Sequence, residues 1–151
     1  MTNPAVNGYT TLDLIRDELS FIERVHPDIV SILIGVNDLV QGRTADEYRR
    51  SLTTIYDAAS GLPVIAVSIP SWSYVPAAAD FGGADHVDRL TVVFNEVARD
   101  QATGRGYTWV DIGAVSKSGV GTPGWIASDD LHPGDVQYAA WAETIWAAWP
   151  R

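Results

Sequence analysis

Asp28-Ile29-Val30-Ser31-Ile32-Leu33-Ile34 is a short run, rich in β-branched side chains and almost wholly apolar. A strand with one wet face alternates apolar and polar residues. A near-continuous apolar run of this length instead marks a strand buried on both faces, as in a parallel sheet covered by helices. Gly35 ends the run. The same signature returns in Pro63-Val64-Ile65-Ala66-Val67-Ser68-Ile69, and a third strand is expected from Tyr107 to Ile112.

Helical patterns fill the intervals. Leu12, Ile15, Leu19 and Ile22 recur at spacings of three and four, with charged residues between them, and predict a helix from Thr10 to Val25. Thr44-Ala45-Asp46-Glu47 is a capping box that opens a helix running to about Ser60, with Gly61 as its stop. Asp85 to Gln101 is a third helix, with Val87, Leu90, Val93, Phe94 and Val97 on its apolar face. A last helix is expected from Gly134 to Trp149, carrying Tyr138, Trp141, Ile145 and Trp149. Two long loops remain, one after Ile69 and one from Gly113 to Ser128. Helix and strand alternate throughout, which implies a single α/β domain over residues 1–151, a parallel sheet with helices on both faces. Ligands of such sheets bind beyond the carboxyl ends of the strands.

Composition agrees with a folded domain. Of 151 residues, 46% are hydrophobic and 19% charged. The formal net charge of −9 argues against nucleic acid and anionic membrane surfaces as partners. Cysteine is absent, which removes disulfides, thiolate metal sites and a cysteine nucleophile. Met1-Thr2-Asn3-Pro4 leads to Gly8 without the basic start and apolar run of a signal peptide, and no stretch has the length of a membrane span. The expectation is a soluble cytoplasmic protein, or a secreted one if an N-terminal signal has been lost.

Three groups carry chemistry. Gly35-Val36-Asn37-Asp38 follows the first apolar run, and the Asn37 amide is placed to donate to an oxyanion; the same four residues also suit a plain strand-exit turn. Asp129-Asp130-Leu131-His132-Pro133 precedes the last helix. An Asp three residues before a His can hold Nδ1 and leave Nε2 as a base, and an acidic capping turn with a surface His has the same composition. Asn7-Gly8 sets a bare backbone N–H before the first helix, and it is also a common turn pair. Asp38 and Asp46 have no further ligand at metal-binding spacing, and neither His26 nor His86 has a visible partner, so no metal and no cofactor is expected.

Taken in order, these blocks resemble the SGNH hydrolases, also called GDSL-like esterases and lipases. The resemblance runs from Ala5-Val6-Asn7-Gly8-Tyr9-Thr10-Thr11 to the final helix, and Asp129-Asp130-Leu131-His132-Pro133 carries it most specifically. It implies a flavodoxin-like three-layer α/β/α sandwich on a five-stranded parallel sheet. It implies Gly8 and Asn37 as oxyanion donors, Asp129 and His132 as acid and base, and a small-molecule ester as substrate. One departure stands out: the family's Gly-Asp-Ser nucleophile block should precede Gly8, and no Gly-Asp-Ser occurs anywhere. Ser71 and Ser73, just past a strand end, are candidates for lining the pocket rather than for attack. Trp72 and Trp125, on the two long loops, are candidates either for the same lining or for packing beneath it. Trp109, Trp141 and Trp146 are expected in the core.

The resemblance therefore leads to the expectation of an N-terminally truncated domain with its first strand missing. That loss would open the edge at Ile29–Ile34 and invite a homodimer. The function expected is an SGNH-type carboxylic ester hydrolase for short acyl or aryl esters, weak or altered for want of the serine. The alternatives are an inactive binding module of the same fold, or a fragment of a longer esterase with a misassigned start.

Overall fold

In the computed structural model, which describes residues 1–150, the apolar runs lie side by side in parallel. Strand β1 (Val30–Ile32) pairs with β2 (Val64–Val67), and β2 pairs with β3 (Thr108–Val110), so the order is β1-β2-β3. The register sets Val30 beside Val64 and Ala66 beside Trp109. Each strand is shorter than its apolar run. Pro63, with no N–H to donate, sits just outside β2 and contributes only its carbonyl, which accepts from Val30 N–H at 3.0 Å.

The helices are α1 (Thr11–Asp17), α2 (Ser20–Val25), α3 (Val36–Val40), α4 (Ala45–Ala58), α5 (Ala84–Thr103), α6 (Gly113–Ser118) and α7 (Asp135–Ala147), with a 3-10 turn at Pro76–Phe81. On one face of the sheet, Leu52 and Ile55 of α4 and Val87, Phe94 and Val97 of α5 pack with Ile32, Val64 and Ala66. On the other, Trp141 and Ile145 of α7 pack with Ile65, Val67 and Val110. This is the expected α/β architecture in three layers, on three described strands. All four residues of β2 are buried, and each large apolar side chain buried there contributes about 1.5–3 kcal/mol.

The second layer is incomplete. Val30, Ile32 and Ile34 face the α4–α5 side, while the intervening Ser31 is exposed and Leu33 is 40% exposed. Helix α7 therefore covers β2 and β3 and leaves β1 bare, and β1 pairs on one edge only.

Several sequence expectations are corrected. The helix expected over Thr10–Val25 breaks at Glu18-Leu19, because the Leu14 carbonyl accepts from both Glu18 N–H (2.9 Å) and Leu19 N–H (3.2 Å) and the ladder loses its register. Leu12 is 54% exposed, and Leu14 takes its place against the core beside Ile15. In α5, Val93 is 42% exposed while Thr91 and Ala98 turn inward. In α7, Trp141 is buried as expected, but Tyr138 is exposed and Trp146 is 71% exposed, stacked on Trp149 at 5.8 Å. That helix is apolar nearly all round, so periodicity cannot choose its inner face. Helix α6, expected as loop, is six residues with no capping side chain at Ile112. His26 and His86 are exposed. Among the described residues, no helix is long and apolar enough to cross a membrane.

Candidate active site

Gly35 leaves β1 with φ +124°, a conformation that side chains resist, and a Cβ there would stand 2.6 Å from Cε2 of Tyr48. The Tyr48 ring is buried, stacks on Phe94 at 4.6 Å and donates its hydroxyl to the Ile34 carbonyl at 2.9 Å. Burial pushes the Tyr48 phenol well above its ordinary range, so it stays a donor. The sharp exit starts α3 at once and places Asn37 and Asp38 in its first turn.

Asn37 donates one amide hydrogen to the Tyr9 carbonyl at 2.9 Å. An amide carries two, so the second is left in a fixed plane for another acceptor. Next door, the buried Asp38 carboxylate accepts from Thr11 N–H at 2.8 Å and from the Thr11 hydroxyl, with Arg43 Nη1 at 3.5 Å. Nothing in the sequence signals this pairing, since the partners are 27 residues apart.

Gly8 lies one residue before Tyr9. Tyr9 N–H donates to the Val6 carbonyl at 3.3 Å, and Gly8 sits in that turn with φ +84°. A positive φ at the third position is the requirement of a type II turn, which explains the Asn-Gly pair. The Gly8 N–H has no hydrogen-bond acceptor among the described residues. The chain then enters α1 through a Thr10–Asp13 capping box.

Asp129 and His132 lie side by side in the turn before α7. His132 Nδ1 lies 2.6 Å from Asp129 Oδ2, while Asp129 Oδ1 accepts from His132 N–H (2.9 Å) and Leu131 N–H (3.0 Å). These bonds, the His132 backbone N–H first, then its ring, then Leu131 N–H, lower the Asp129 carboxyl to about 2. The carboxylate is therefore ionised, Nδ1 carries the proton, and Nε2 is the free basic nitrogen. Both side chains are half-exposed. The turn is closed by Ala127 N–H to the His132 carbonyl at 2.8 Å, by a bridge between Ile126 and Pro133, and by Asp130 at φ +58°. From outside, Ala77 N–H donates to the Asp130 carbonyl at 3.3 Å.

Of the candidate pocket-lining residues, Ser71 borders a cleft of about 440 Å³ with Asp111, Gly113 and Lys117 at the carboxyl ends of β2 and β3. Ser73 is half-buried. Trp72 and Trp125 are buried: Trp72 meets Phe81 edge-on at 5.4 Å, and Trp125 packs on Gly119 and donates to the Ser116 carbonyl at 2.9 Å. Both support their loops from below. Ser68 is also buried, accepting from Ile112 N–H at 2.9 Å. Gly8 and Asn37 are thus joined through Tyr9, and Asp129 and His132 through their own bond; no hydrogen bond between described residues links the two pairs. No group of three or more His, Asp or Glu among the described residues is arranged to hold a metal.

The model of the GDSL-like lipase/acylhydrolase family matches residues 1–140. The chain belongs to that family and is, in class, a hydrolase acting on ester bonds. No curated protein matches the sequence. Solved structures repeat the fold. A catalytic mutant of an acetylxylan esterase from Geobacillus stearothermophilus superposes with a TM-score of 0.78 at 21% identity, over 97% of this chain and 70% of that one. The lipase/acylhydrolase from Enterococcus faecalis gives 0.71 at 23% identity, over 91% and 69%. A psychrotrophic esterase from Pseudoalteromonas sp. gives 0.73 at 17%, over 97% and 76%. At these identities the likeness is one of fold.

Proposed function

We propose that this chain hydrolyses short acyl or aryl esters with Asp129–His132 as its acid–base pair and Gly8 and Asn37 as oxyanion donors. The observation that carries this reading is the 2.6 Å contact between His132 Nδ1 and Asp129, which leaves Nε2 free on a half-exposed ring. Nε2 takes a proton from water as the oxygen attacks the ester carbonyl. The carbonyl oxygen becomes an oxyanion, which the Gly8 N–H and the second Asn37 amide hydrogen stabilise. The tetrahedral adduct then expels the alcohol or phenol oxygen, which takes the proton from the imidazolium, and an acid is released. In related chemistry a site that has lost one member of its triad retains on the order of 10³–10⁴-fold acceleration over water, from its oxyanion donors and substrate binding. The name of the acetylxylan esterase among the structural neighbours specifies an acetyl ester, which supports a short acyl group.

Hydrolysis of p-nitrophenyl acetate by the protein and by His132→Ala tests this. The expected result is a rate above background that His132→Ala lowers. Equal rates for the two would refute the acid–base assignment.

The same reading includes a homodimer. β1 has an open edge and a bare face at Ser31 and Leu33, and the run from Ile29 to Val36 carries no charge, so two copies can meet there without opposing their net charges of −9. Sedimentation at micromolar concentration should give a dimer, and a charged Ser31→Lys variant should give a monomer; a monomeric parent protein would sink the proposal.

A further inference from the structure

Asn37 and Asp38 are consecutive, yet they reach back to the same short segment at two points. Asn37 holds the Tyr9 carbonyl at 2.9 Å, and Asp38 holds both the N–H (2.8 Å) and the hydroxyl of Thr11. The Asp38 side chain is 0% exposed, and Thr11 is equally buried. A carboxylate removed from water is costly unless donors surround it. Here the donors are the Thr11 N–H and hydroxyl, and the Arg43 guanidinium adds a neighbouring positive charge at 3.5 Å, while its other terminal nitrogen donates to the Ser51 hydroxyl at 3.3 Å. The line Thr11–Asp38–Arg43–Ser51 thus ties the segment after Gly8 through α3 into α4.

We infer that Asp38 is a positioning residue, whose buried carboxylate sets the distance and direction between the Gly8 N–H and the Asn37 amide. The inference rests on the reading of those two groups as oxyanion donors. Two fixed points two residues apart determine where the Gly8 turn sits. The Tyr9 bond determines the plane of the Asn37 amide, and hence where its second hydrogen points. Without Asp38, the one side-chain hydrogen bond from α3 to the segment between Gly8 and Thr11 would be that of Asn37 to Tyr9, which allows rotation about that contact. Oxyanion donors act through prepositioning, and about 1 Å of misplacement costs on the order of 100-fold in rate.

The test combines a spectroscopic and a kinetic readout on the whole chain. Asp38→Asn removes the charge with little change of shape. Thr11→Val removes only the hydroxyl, and Thr11→Ser keeps it. Nuclear magnetic resonance should show the Asn37 side-chain amide protons well separated in the parent protein, one of them protected by the Tyr9 carbonyl. In Asp38→Asn and in Thr11→Val, both the Asn37 side-chain and the Gly8 backbone resonances should move. Thr11→Ser should restore them. In parallel, kcat for p-nitrophenyl acetate should fall about 10–100-fold with KM within about twofold, because only transition-state contacts are lost. Unchanged Asn37 and Gly8 resonances in a folded Asp38→Asn would overturn the inference. If Asp38→Asn does not fold, Thr11→Val carries the same comparison. A parent protein without His132-dependent hydrolysis would sink the hydrolytic reading, while the resonances would still decide whether Asp38 positions the two donors.

Discussion

Replacing Gly35 by alanine asks the backbone and the core for two things at once. The residue holds φ +124°, outside the region L-residues favour, and adopting it costs roughly 1–3 kcal/mol. The new Cβ would also stand 2.6 to 2.8 Å from three atoms of the Tyr48 ring. That ring cannot retreat easily, since Phe94 stacks on it at 4.6 Å and its hydroxyl is held by Ile34. Overpacking of this kind costs about 1–3 kcal/mol more. The sum, roughly 2–6 kcal/mol, is a large share of the 5–15 kcal/mol typical of a domain. At about 2–4 °C per kcal/mol for a chain of this size, Tm should fall by roughly 4–24 °C. Urea unfolding measures the same loss as a shift of midpoint at constant slope. Adding Tyr48→Leu separates the two causes: it relieves the contact but not the backbone, so the pair should be less than additive by roughly half the single-variant cost. A loss under about 1 kcal/mol in Gly35→Ala would refute the argument that this exit from β1 demands glycine.

Other outcomes follow from the site and its supports. The Asp129 carboxyl should titrate near 2 by carbon resonance, and in His132→Ala the midpoint should rise toward 3.8 without reaching it, since the two backbone N–H bonds remain. Because this carboxyl is lowered by folding, the stability it confers is present above about 3.8 and disappears as pH falls to about 2, so acid below that window should loosen the 129–132 turn. Asp129→Asn should lower His132-dependent hydrolysis toward the background rate, because the carboxylate that fixes the imidazole tautomer is lost. Thr44→Ala removes the α4 cap that accepts from Glu47 N–H at 3.2 Å and should cost about 1 kcal/mol, read as a midpoint shift in urea.

The sheet was legible because its signal is local. The seven-residue run from Asp28 to Ile34, ended by Gly35, and its echo at Pro63–Ile69 mark parallel strands from composition alone, although only the second is buried on both faces. The α4 start was equally plain, since the Thr44–Glu47 box is a contact between residues three apart. Asp129 and His132 belong to the same kind of short-range arrangement, and their contact formed as expected. The misses are long-range or ambiguous in phase. Trp146 could not be turned outward from the pattern of a helix with apolar residues on every side. The division between α1 and α2 depends on one carbonyl shared by two donors, which leaves no mark on periodicity. Asp38 reads as half of a turn pair until Thr11, far upstream, is brought against it.

The spatial order β1-β2-β3 is also the order in which the strands are synthesised. In sheets whose middle strand comes first in sequence, later strands must be laid down on alternate sides. Here each new strand is added to the same growing edge, and each crossover closes before the next begins. The chain can therefore condense progressively as it leaves the ribosome, with β2 sealing against β1 once α4 has formed and β3 following after α5. The contact of Thr11 with Asp38 needs neither β2 nor β3, so the segment from Gly8 to Asn37 can be assembled before Asp129 and His132 have been translated.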